Sequence, residues 1–183
     1  MKMKMKTEDK IIQQTIAVID DEGYKTLSLR KLTKSLNLTT GAFYKHFLSK
    51  EDLFQQTAQQ LSKDFIQSVN LKDTYSAETQ LLQIADKFCR EIKLHPQRMD
   101  FLFFNPAINF VYSNQGTSQF QFLEKVKSLI KEIDPSREQE LFLQIWSFIQ
   151  GYAYLINNNV TNYDANLVKR TLKEFVGRGN SNE

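Results

Sequence analysis

The stretch SLRKLTKSLNLTTGAFYKHFLSKEDLF, residues 28–54, decides the fold class of this chain. Leucines recur at helical spacing behind Ser28, which predicts a short helix that begins there and ends before Asn37. At Asn37 the chain must turn sharply, and asparagine is the residue other than glycine that best tolerates positive φ. A second short helix is predicted over 40–47, with Thr39 as its cap. Two short helices joined by a tight turn form a helix-turn-helix motif.

The second of these helices has the chemistry that entry into a DNA groove requires. Gly41 and Ala42 keep its leading edge thin, and Phe43 and Phe47, one turn apart, are expected to hold it to the core. Hydrophilic groups that can donate hydrogen bonds to phosphates or base edges lie around both ends. Thr39 and Thr40 supply hydroxyls at its start, as Ser28 does at the start of the first short helix, and its other end is surrounded by Tyr44, Lys45, His46 and Lys50.

The charge distribution supports a polyanionic partner for the N-terminal part alone. Residues 1–50 contain ten basic and five acidic residues, a surplus of five, whereas the whole chain carries +3, so the remainder carries −2. A basic head on a mildly acidic body favours nucleic-acid binding by the head. A solvated basic face is the alternative that charge alone leaves open.

Three segments closely resemble the TetR family of bacterial transcriptional regulators: GYKTLSLRKL at 23–32, LTTGAFYKHF at 38–47 and SKEDLF at 49–54. The resemblance is strong over about the first third of the chain and weak beyond it. It implies that Ser28 caps its helix and touches a phosphate, and that the start of the second short helix meets DNA. The DNA-binding set that it implies is Ser28, Arg30, Thr39, Thr40, Gly41, Ala42, Tyr44, Lys45, His46 and Lys50.

The segment departs from the family pattern at two positions. Asn37 stands where glycine is usual, which the backbone tolerates. Ala42 stands where threonine is frequent, so a polar base contact is replaced by an apolar one, for example to a thymine methyl. Alternative roles stay open for three residues: Tyr44 as a half-buried aromatic, His46 as a plain surface residue and Arg30 as a salt-bridge partner.

The rest of the chain is helical in pattern, since glycine and proline are scarce and apolar residues keep a helical period. We predict an all-α fold: an N-terminal three-helix helix-turn-helix domain over 1–49, and a helical ligand-binding and dimerisation domain over 50–183. Pro106 is expected to break one helix. The predicted helices cover 7–22, 28–36, 40–47, 49–69, 78–94, 97–112, 119–133, 134–157 and 163–176.

The last two predicted helices favour a dimer. The run at 146–155 resembles the family's penultimate helix, and the small residues Gly151 and Ala153 permit a close helix approach. Two helices from each subunit would form a four-helix interface. Packing of both helices within one subunit is the alternative. The predicted interface residues are Phe148, Gly151, Tyr152, Leu155, Leu167, Leu172 and Phe175.

Many aromatic residues of the body predict an apolar cavity with a few polar groups, although each aromatic taken singly is by default a core residue. No cluster of charges specifies an ionic ligand. Cys89 is interpreted as a buried small apolar residue, with a redox role as the alternative. The predicted ligand-binding residues are Phe88, Phe101, Phe104, Phe110, Phe122, Trp146 and Gln150.

The functional hypothesis is a dimeric repressor that a small-molecule effector releases from its DNA operator. A helical protein-binding adaptor that does not bind DNA is the alternative. No nucleophile–base pair, glycine-rich phosphate loop or metal-ligand spacing indicates an enzyme, a metal site or a cofactor. The single cysteine and the lack of a long apolar run favour a cytoplasmic protein with no membrane partner.

Overall fold

The helices of the computed structural model follow the apolar periodicity of the chain. The structure describes residues 6–106, 108 and 120–177, and within these ranges every regular element is helical. None of the helices in these ranges is both long and apolar enough to cross a membrane. The helices are α1 (Thr7–Glu22), α2 (Leu29–Ser35), α3 (Thr40–Phe43), α4 (Lys50–Ser68), α5 (Ala77–Leu94), α6 (Pro96–Phe104), α7 (Gln121–Ile133), α8 (Glu138–Asn157) and α9 (Ala165–Gly177), with 3₁₀ turns at Tyr24–Thr26 and Pro135–Arg137.

The chain forms two compact units that interleave along the sequence. Unit 1 comprises Met1–Ser62 and His95–Phe120, and unit 2 comprises Lys63–Leu94 and Gln121–Glu183. In unit 1, α1 packs against α2 and α6, and α2 packs against α3. In unit 2, α5 packs against α7, α8 and α9. The boundary at 49/50 that the sequence predicts is a functional division and stays a prediction.

Helix boundaries differ from the predicted ones where local hydrogen bonding intervenes. α3 ends at Phe43, four residues earlier than predicted, and tighter turns carry the chain on to Phe47. The Asp134–Pro135 pair opens a 3₁₀ turn before α8 begins, because the Asp134 carboxylate accepts hydrogen bonds from the backbone of Ser136 and Arg137. The helix predicted over 97–112 ends at Phe104, just before Pro106, and most of its second half lies outside the described residues.

Candidate nucleic-acid interface and apolar cleft

Buried aromatic residues hold α3 from beneath. Phe43 and Phe47 are buried, and their rings stack at a centroid distance of 5.4 Å. The Thr39 hydroxyl caps the helix by accepting a hydrogen bond of 3.0 Å from the Ala42 N–H. Because one face is anchored, the other face is presented outward: Thr40 and Gly41 are exposed and Ala42 is half-buried. The cap and the two inward phenylalanines therefore agree with the sequence prediction.

The turn before α3 is tight because Asn37 adopts positive φ. Its φ is 53°, as the sequence predicts for this position. The N–H groups of Asn37 and Leu38 donate to the carbonyls of Lys34 and Thr33 at 3.1 and 2.9 Å, respectively. These bonds satisfy two of the orphan carbonyls at the end of α2, and only three residues separate the end of α2 at Ser35 from Thr39. The helix-turn-helix geometry follows from this local closure.

Most of the predicted DNA-binding residues in or next to α2 and α3 are exposed. Arg30, Lys45 and His46 are exposed, and Tyr44 is 54% exposed. The Tyr44 ring is edge-on to the buried Phe43 ring at 5.2 Å, which orients it while leaving half of its surface to solvent. These side chains can donate hydrogen bonds to the phosphates of a DNA backbone at several points around a slim helix.

Two members of the predicted set are placed differently. The Ser28 side chain makes no capping hydrogen bond, although its backbone has the extended conformation of an N-cap residue. Lys50 is half-buried: its Nζ donates to the Leu27 carbonyl at 2.8 Å and lies 5.2 Å from the centroid of the Phe54 ring. The cap role predicted for the Ser28 hydroxyl is thus wrong for this structure, because the hydroxyl does not reach the backbone N–H groups of the first turn.

The start of α4 is closed by reciprocal capping. The Ser49 hydroxyl accepts from the Asp52 N–H at 3.1 Å, while the Asp52 carboxylate accepts from the Leu48 N–H at 2.7 Å. The pKa of the Glu51 carboxyl is lowered, first by its own backbone N–H and next by the Ser49 hydroxyl. This capping agrees with the sequence prediction of a helix start at Ser49, with Asp52 reaching one residue further back than a capping box requires.

A contact between α1 and α6 that the sequence analysis missed completes unit 1. The Arg98 guanidinium donates to both oxygens of the Asp20 carboxylate, at 2.9 and 2.5 Å. Residues 78 positions apart give no sequence signal of such a pair. In the same unit, the rings of Tyr24, Phe54 and Phe101 form one cluster, with centroid distances between 5.3 and 6.1 Å. Burial, and then the charge of Asp100, raises the pKa of Tyr24.

Three of the residues predicted to bind a ligand meet in unit 2. The rings of Phe88, Phe122 and Trp146 lie with centroids 5.6–6.2 Å apart. They line a narrow cleft between α5, α7 and α8, with a volume of about 20 Å³, whose lining side chains are all apolar. The remaining lining residues are Leu81, Ile84, Ala85, Val126, Ile145 and Ile149.

The other predicted ligand residues are not part of this lining. Phe101 belongs to the aromatic cluster of unit 1, so the structure does not bring it together with the three rings of unit 2. Phe104, in α6, is half-buried in unit 1, and Gln150, in α8, is half-buried in unit 2. Phe110 lies outside the described residues.

A polar cluster in unit 2 was also missed by the sequence analysis. The Tyr163 hydroxyl and the Arg90 guanidinium both donate to the Asp86 carboxylate, and the guanidinium lies 5.0 Å from the Tyr163 ring centroid. Partial burial raises the pKa of Asp86, but the hydrogen bonds from Arg90 and Tyr163 outweigh it and the pKa is lowered. The spacing of Asp86 and Arg90 signals an i,i+4 pair, whereas the contact with Tyr163 has no sequence signal.

The residues predicted for a dimer interface divide into exposed and buried ones. Gly151 and Leu155 are exposed on α8, and Phe148, Leu167 and Phe175 are half-buried between α8 and α9. Tyr152 and Leu172 are buried within the chain, so most of their surface is unavailable to a partner. The Tyr152 hydroxyl donates to the Asn162 carbonyl and accepts from the Asp164 N–H, which ties α8 to the start of α9.

Comparison with known proteins gives matches at the level of sequence. The sequence profile described as "Bacterial regulatory proteins, tetR family" matches residues 11–57. The IcaR protein of Staphylococcus epidermidis, a negative transcriptional regulator of the biofilm operon icaADBC, is 31% identical over 97 residues, 49% of this chain and 52% of that protein. IcaR of Staphylococcus aureus is 28% identical over 130 residues, 69% of this chain and 67% of that protein. The first match thus spans about half the length of its relative.

Solved structures resemble the chain over nearly its whole length. SCO7222, a TetR from Streptomyces coelicolor, has a TM-score of 0.69 at 15% identity and covers 96% of this chain and 97% of its own. BioQ, solved with its double-stranded DNA operator, has a TM-score of 0.69 at 13% identity and covers 95% and 99%. FadR of Bacillus halodurans, a fatty acid degradation regulator, has a TM-score of 0.63 at 16% identity and covers 96% and 97%. Identities this low establish a common fold.

Proposed function

We propose that the chain, whose residues 11–57 match the TetR family of bacterial regulatory proteins, is a sequence-specific DNA-binding repressor of transcription that acts in the cytoplasm. The observation that carries the proposal is the outward face of α3, exposed at Thr40, Gly41 and Tyr44 above a buried Phe43. IcaR, the relative at 31% identity, is a negative regulator, and BioQ has a structure with its operator. The first supports repression as the function, and the second supports DNA as the partner.

The roles of the side chains follow from their positions. The first turn of α3 reads the major groove, where Gly41 permits close approach and the methyl group of Ala42 meets a thymine methyl. Tyr44, Lys45 and His46 contact phosphates at the other end and set the register of the helix on the duplex. Residues 1–49 form the DNA-binding part of the chain, and residues 50–183 form the ligand-binding and dimerisation part.

The proposed functional unit is a homodimer. A helix as short as α3 reads few bases, and two copies about 34 Å apart meet successive major grooves on one face of the duplex. α8 offers a suitable surface. Gly151 is exposed and has no side chain to hinder close approach, and the large apolar side chains of Leu143, Tyr154 and Leu155 are 55%, 61% and 41% exposed. Two-fold pairing of this surface, with α9 beside it, would bury the apolar area.

The proposed effector is a neutral, apolar small molecule. The cleft at Phe88, Phe122 and Trp146 is lined by apolar side chains alone, so a charged ligand would lose its hydration there without gaining a partner. Binding in the cleft shifts the dimer toward a form in which the two α3 helices no longer match the spacing of the grooves.

DNA binding is tested by the salt dependence of affinity. The full chain is titrated by fluorescence anisotropy onto the promoter fragment upstream of its own gene, with Lys45→Ala compared to Lys131→Ala, an exposed lysine of α7. Lys45→Ala should lower the slope of log K against log salt by about 0.9, the value for one phosphate contact, while Lys131→Ala leaves it unchanged. Equal slopes in all three proteins, or binding without sequence preference, would contradict the proposal. Retention of a protein partner without DNA binding would favour the adaptor instead.

The effector proposal is tested by the fluorescence of Trp146, the only tryptophan of the chain. Decanol should shift or quench this fluorescence in a saturable way, whereas decanoate, which has the same chain length and a negative charge, should do so much more weakly. Phe122→Ala serves as the cleft variant, and Phe101→Leu, in unit 1, as the matched control. Equal responses to the alcohol and the carboxylate would exclude a preference for neutral ligands.

A further inference from the structure

We propose that Lys50 serves DNA binding as a positioning residue that braces the start of α2 against the start of α4. This assignment differs from the phosphate contact that the resemblance implies. It rests on the proposed DNA-binding function, because the segment that it holds leads into the helix-turn-helix.

The geometry of the Lys50 side chain carries the proposal. Its Nζ donates a hydrogen bond of 2.8 Å to the carbonyl of Leu27, a residue 23 positions earlier in the chain. The same ammonium lies 5.2 Å from the ring centroid of Phe54, one turn further along α4. Leu27 and Phe54 are both buried. A lysine that spans two elements in this way is directed along the protein surface, whereas exposed Lys45 extends into solvent.

The carbonyl that Lys50 engages lies just outside the α2 ladder. The first carbonyl of that ladder is that of Ser28, which accepts from the Leu32 N–H at 2.9 Å. The Leu27 carbonyl precedes it and depends on a partner from elsewhere in the fold. The Ser28 side chain makes no capping bond to the first turn, so the Lys50–Leu27 hydrogen bond fixes the residue that leads into α2 from outside the helix.

The consequence for DNA binding is indirect. α2 packs against α3, so the orientation of α2 governs the orientation of the reading helix. The brace keeps Arg30 and the start of α3 in one arrangement before DNA arrives, and this reduces the ordering cost of binding. Loss of the brace should therefore weaken binding at every salt concentration.

The test separates positioning from charge neutralisation. Lys50→Met keeps the apolar stem and removes both the donor and the charge, and Lys45→Met is the matched control for a phosphate contact. Amide hydrogen exchange of Leu27 and Leu32 is measured on the free chain, and the salt slope is measured on the promoter fragment. Lys50→Met should exchange about tenfold faster at these amides, as expected for one lost hydrogen bond, and bind DNA more weakly with an unchanged slope. Lys45→Met should leave exchange at these amides unchanged and should lower the salt slope.

Rescue variants complete the test. Lys50→Arg, which keeps a donor of similar reach, should restore slow exchange and affinity, and Lys50→Gln takes the place of Lys50→Met should the methionine variant not fold. Unchanged exchange at Leu27 and Leu32, or a slope reduced as much as in Lys45→Met, would overturn the proposal. If the chain bound no DNA, the proposed function would fail, but the exchange comparison would still decide whether the brace exists.

Discussion

At the scale of single residues, backbone conformation and burial decide what each position tolerates. Asn37 and Asn159 adopt φ values of 53° and 56°, and Gly23 adopts 79°. Left-handed backbone disfavours side chains branched at Cβ and most others, so these positions are where the chain makes its sharpest turns. Cys89, in contrast, is held by its surroundings: it is buried within α5.

Asn37→Ala should lower the free energy of unfolding by about 1 kcal/mol, because alanine lacks the local hydrogen bonding that lets asparagine adopt positive φ. Asn37→Gly is the matched variant and should show no such loss, since glycine adopts this conformation freely. Urea denaturation followed by circular dichroism measures both. Equal stabilities of the two variants would show that the turn does not depend on φ at this residue.

Gly23→Ala should destabilise the chain by about 1–3 kcal/mol for two separable reasons. The φ of 79° is strained for alanine, and an added Cβ would lie 2.7 Å from the Gln97 Oε1 atom. The double variant with Gln97→Ala should recover the part due to the contact and keep the part due to strain. Thermal unfolding of the two variants distinguishes them, and full recovery in the double variant would rule out a strain contribution.

Cys89 should resist thiol reagents in the folded chain. Burial first, and then the charge of Asp86, raises the pKa of the Cys89 thiol to about 12. The thiolate, which is the reactive form, is therefore scarce at pH 8, and labelling should be far slower than in urea. Because the folded pKa is the higher one, this group contributes stability that is complete below the unfolded pKa and is lost as pH rises toward 12. Rapid labelling at pH 8 without denaturant would favour the redox alternative.

At the scale of elements, several helical segments begin where a side chain accepts a hydrogen bond from the free N–H groups of the first turn. Thr39, Ser49 and Asp134 accept such bonds at the starts of α3, α4 and the turn before α8. Ser28 has the right residue type and backbone conformation but makes no such bond. Residue type predicts where a helix starts better than it predicts which atom closes the first turn.

Thr39→Ala should cost about 1 kcal/mol, because it removes the hydroxyl that caps α3. Ser28→Ala, at the corresponding position of α2, should cost much less, since its hydroxyl makes no capping bond. Chemical denaturation of both variants gives the comparison. A Ser28→Ala loss as large as that of Thr39→Ala would mean that the Ser28 hydroxyl caps α2 in solution.

At the scale of the whole molecule, the exposed apolar side chains of α8 mark the surface proposed for dimer pairing. The described part of α8 carries Leu143, Tyr154 and Leu155 on its outer side, and α9 packs beside α8 through the Phe148–Phe175 ring contact at 6.2 Å. Leu94 is also exposed, at 67%, at the end of α5. Monomeric proteins also expose single apolar residues, so Leu94 serves as the comparison for the apolar surface of α8.

Leu155→Asp should convert the proposed dimer to monomer, because it introduces charges that the two-fold pairing would bury. Leu94→Asp, the same substitution at an exposed leucine outside α8, should leave the assembly intact. Sedimentation equilibrium of both variants measures the mass, and operator affinity should fall with dimer loss in the first variant alone. A monomeric native chain, or two dimeric variants, would count against pairing through α8.

The features that the sequence predicts well are local ones. The start and end of α1, the positive φ of Asn37 and the cap at Thr39 all depend on residues within about four positions, so composition and periodicity specify them. The early end of α3 at Phe43 also arises locally, but it depends on a choice between α-helical and tighter hydrogen bonding that lies below the resolution of such patterns.

Tertiary packing alone decided the rest. Phe88 and Phe101 are both buried aromatics of similar sequence context, yet one joins Trp146 in unit 2 and the other joins Tyr24 in unit 1. The Asp20–Arg98 ion pair and the Lys50–Leu27 hydrogen bond join residues 78 and 23 positions apart. The hydrophobicity of a side chain indicates that it is buried, but not which residues it packs against. A specific partner is determined only when distant segments pack together.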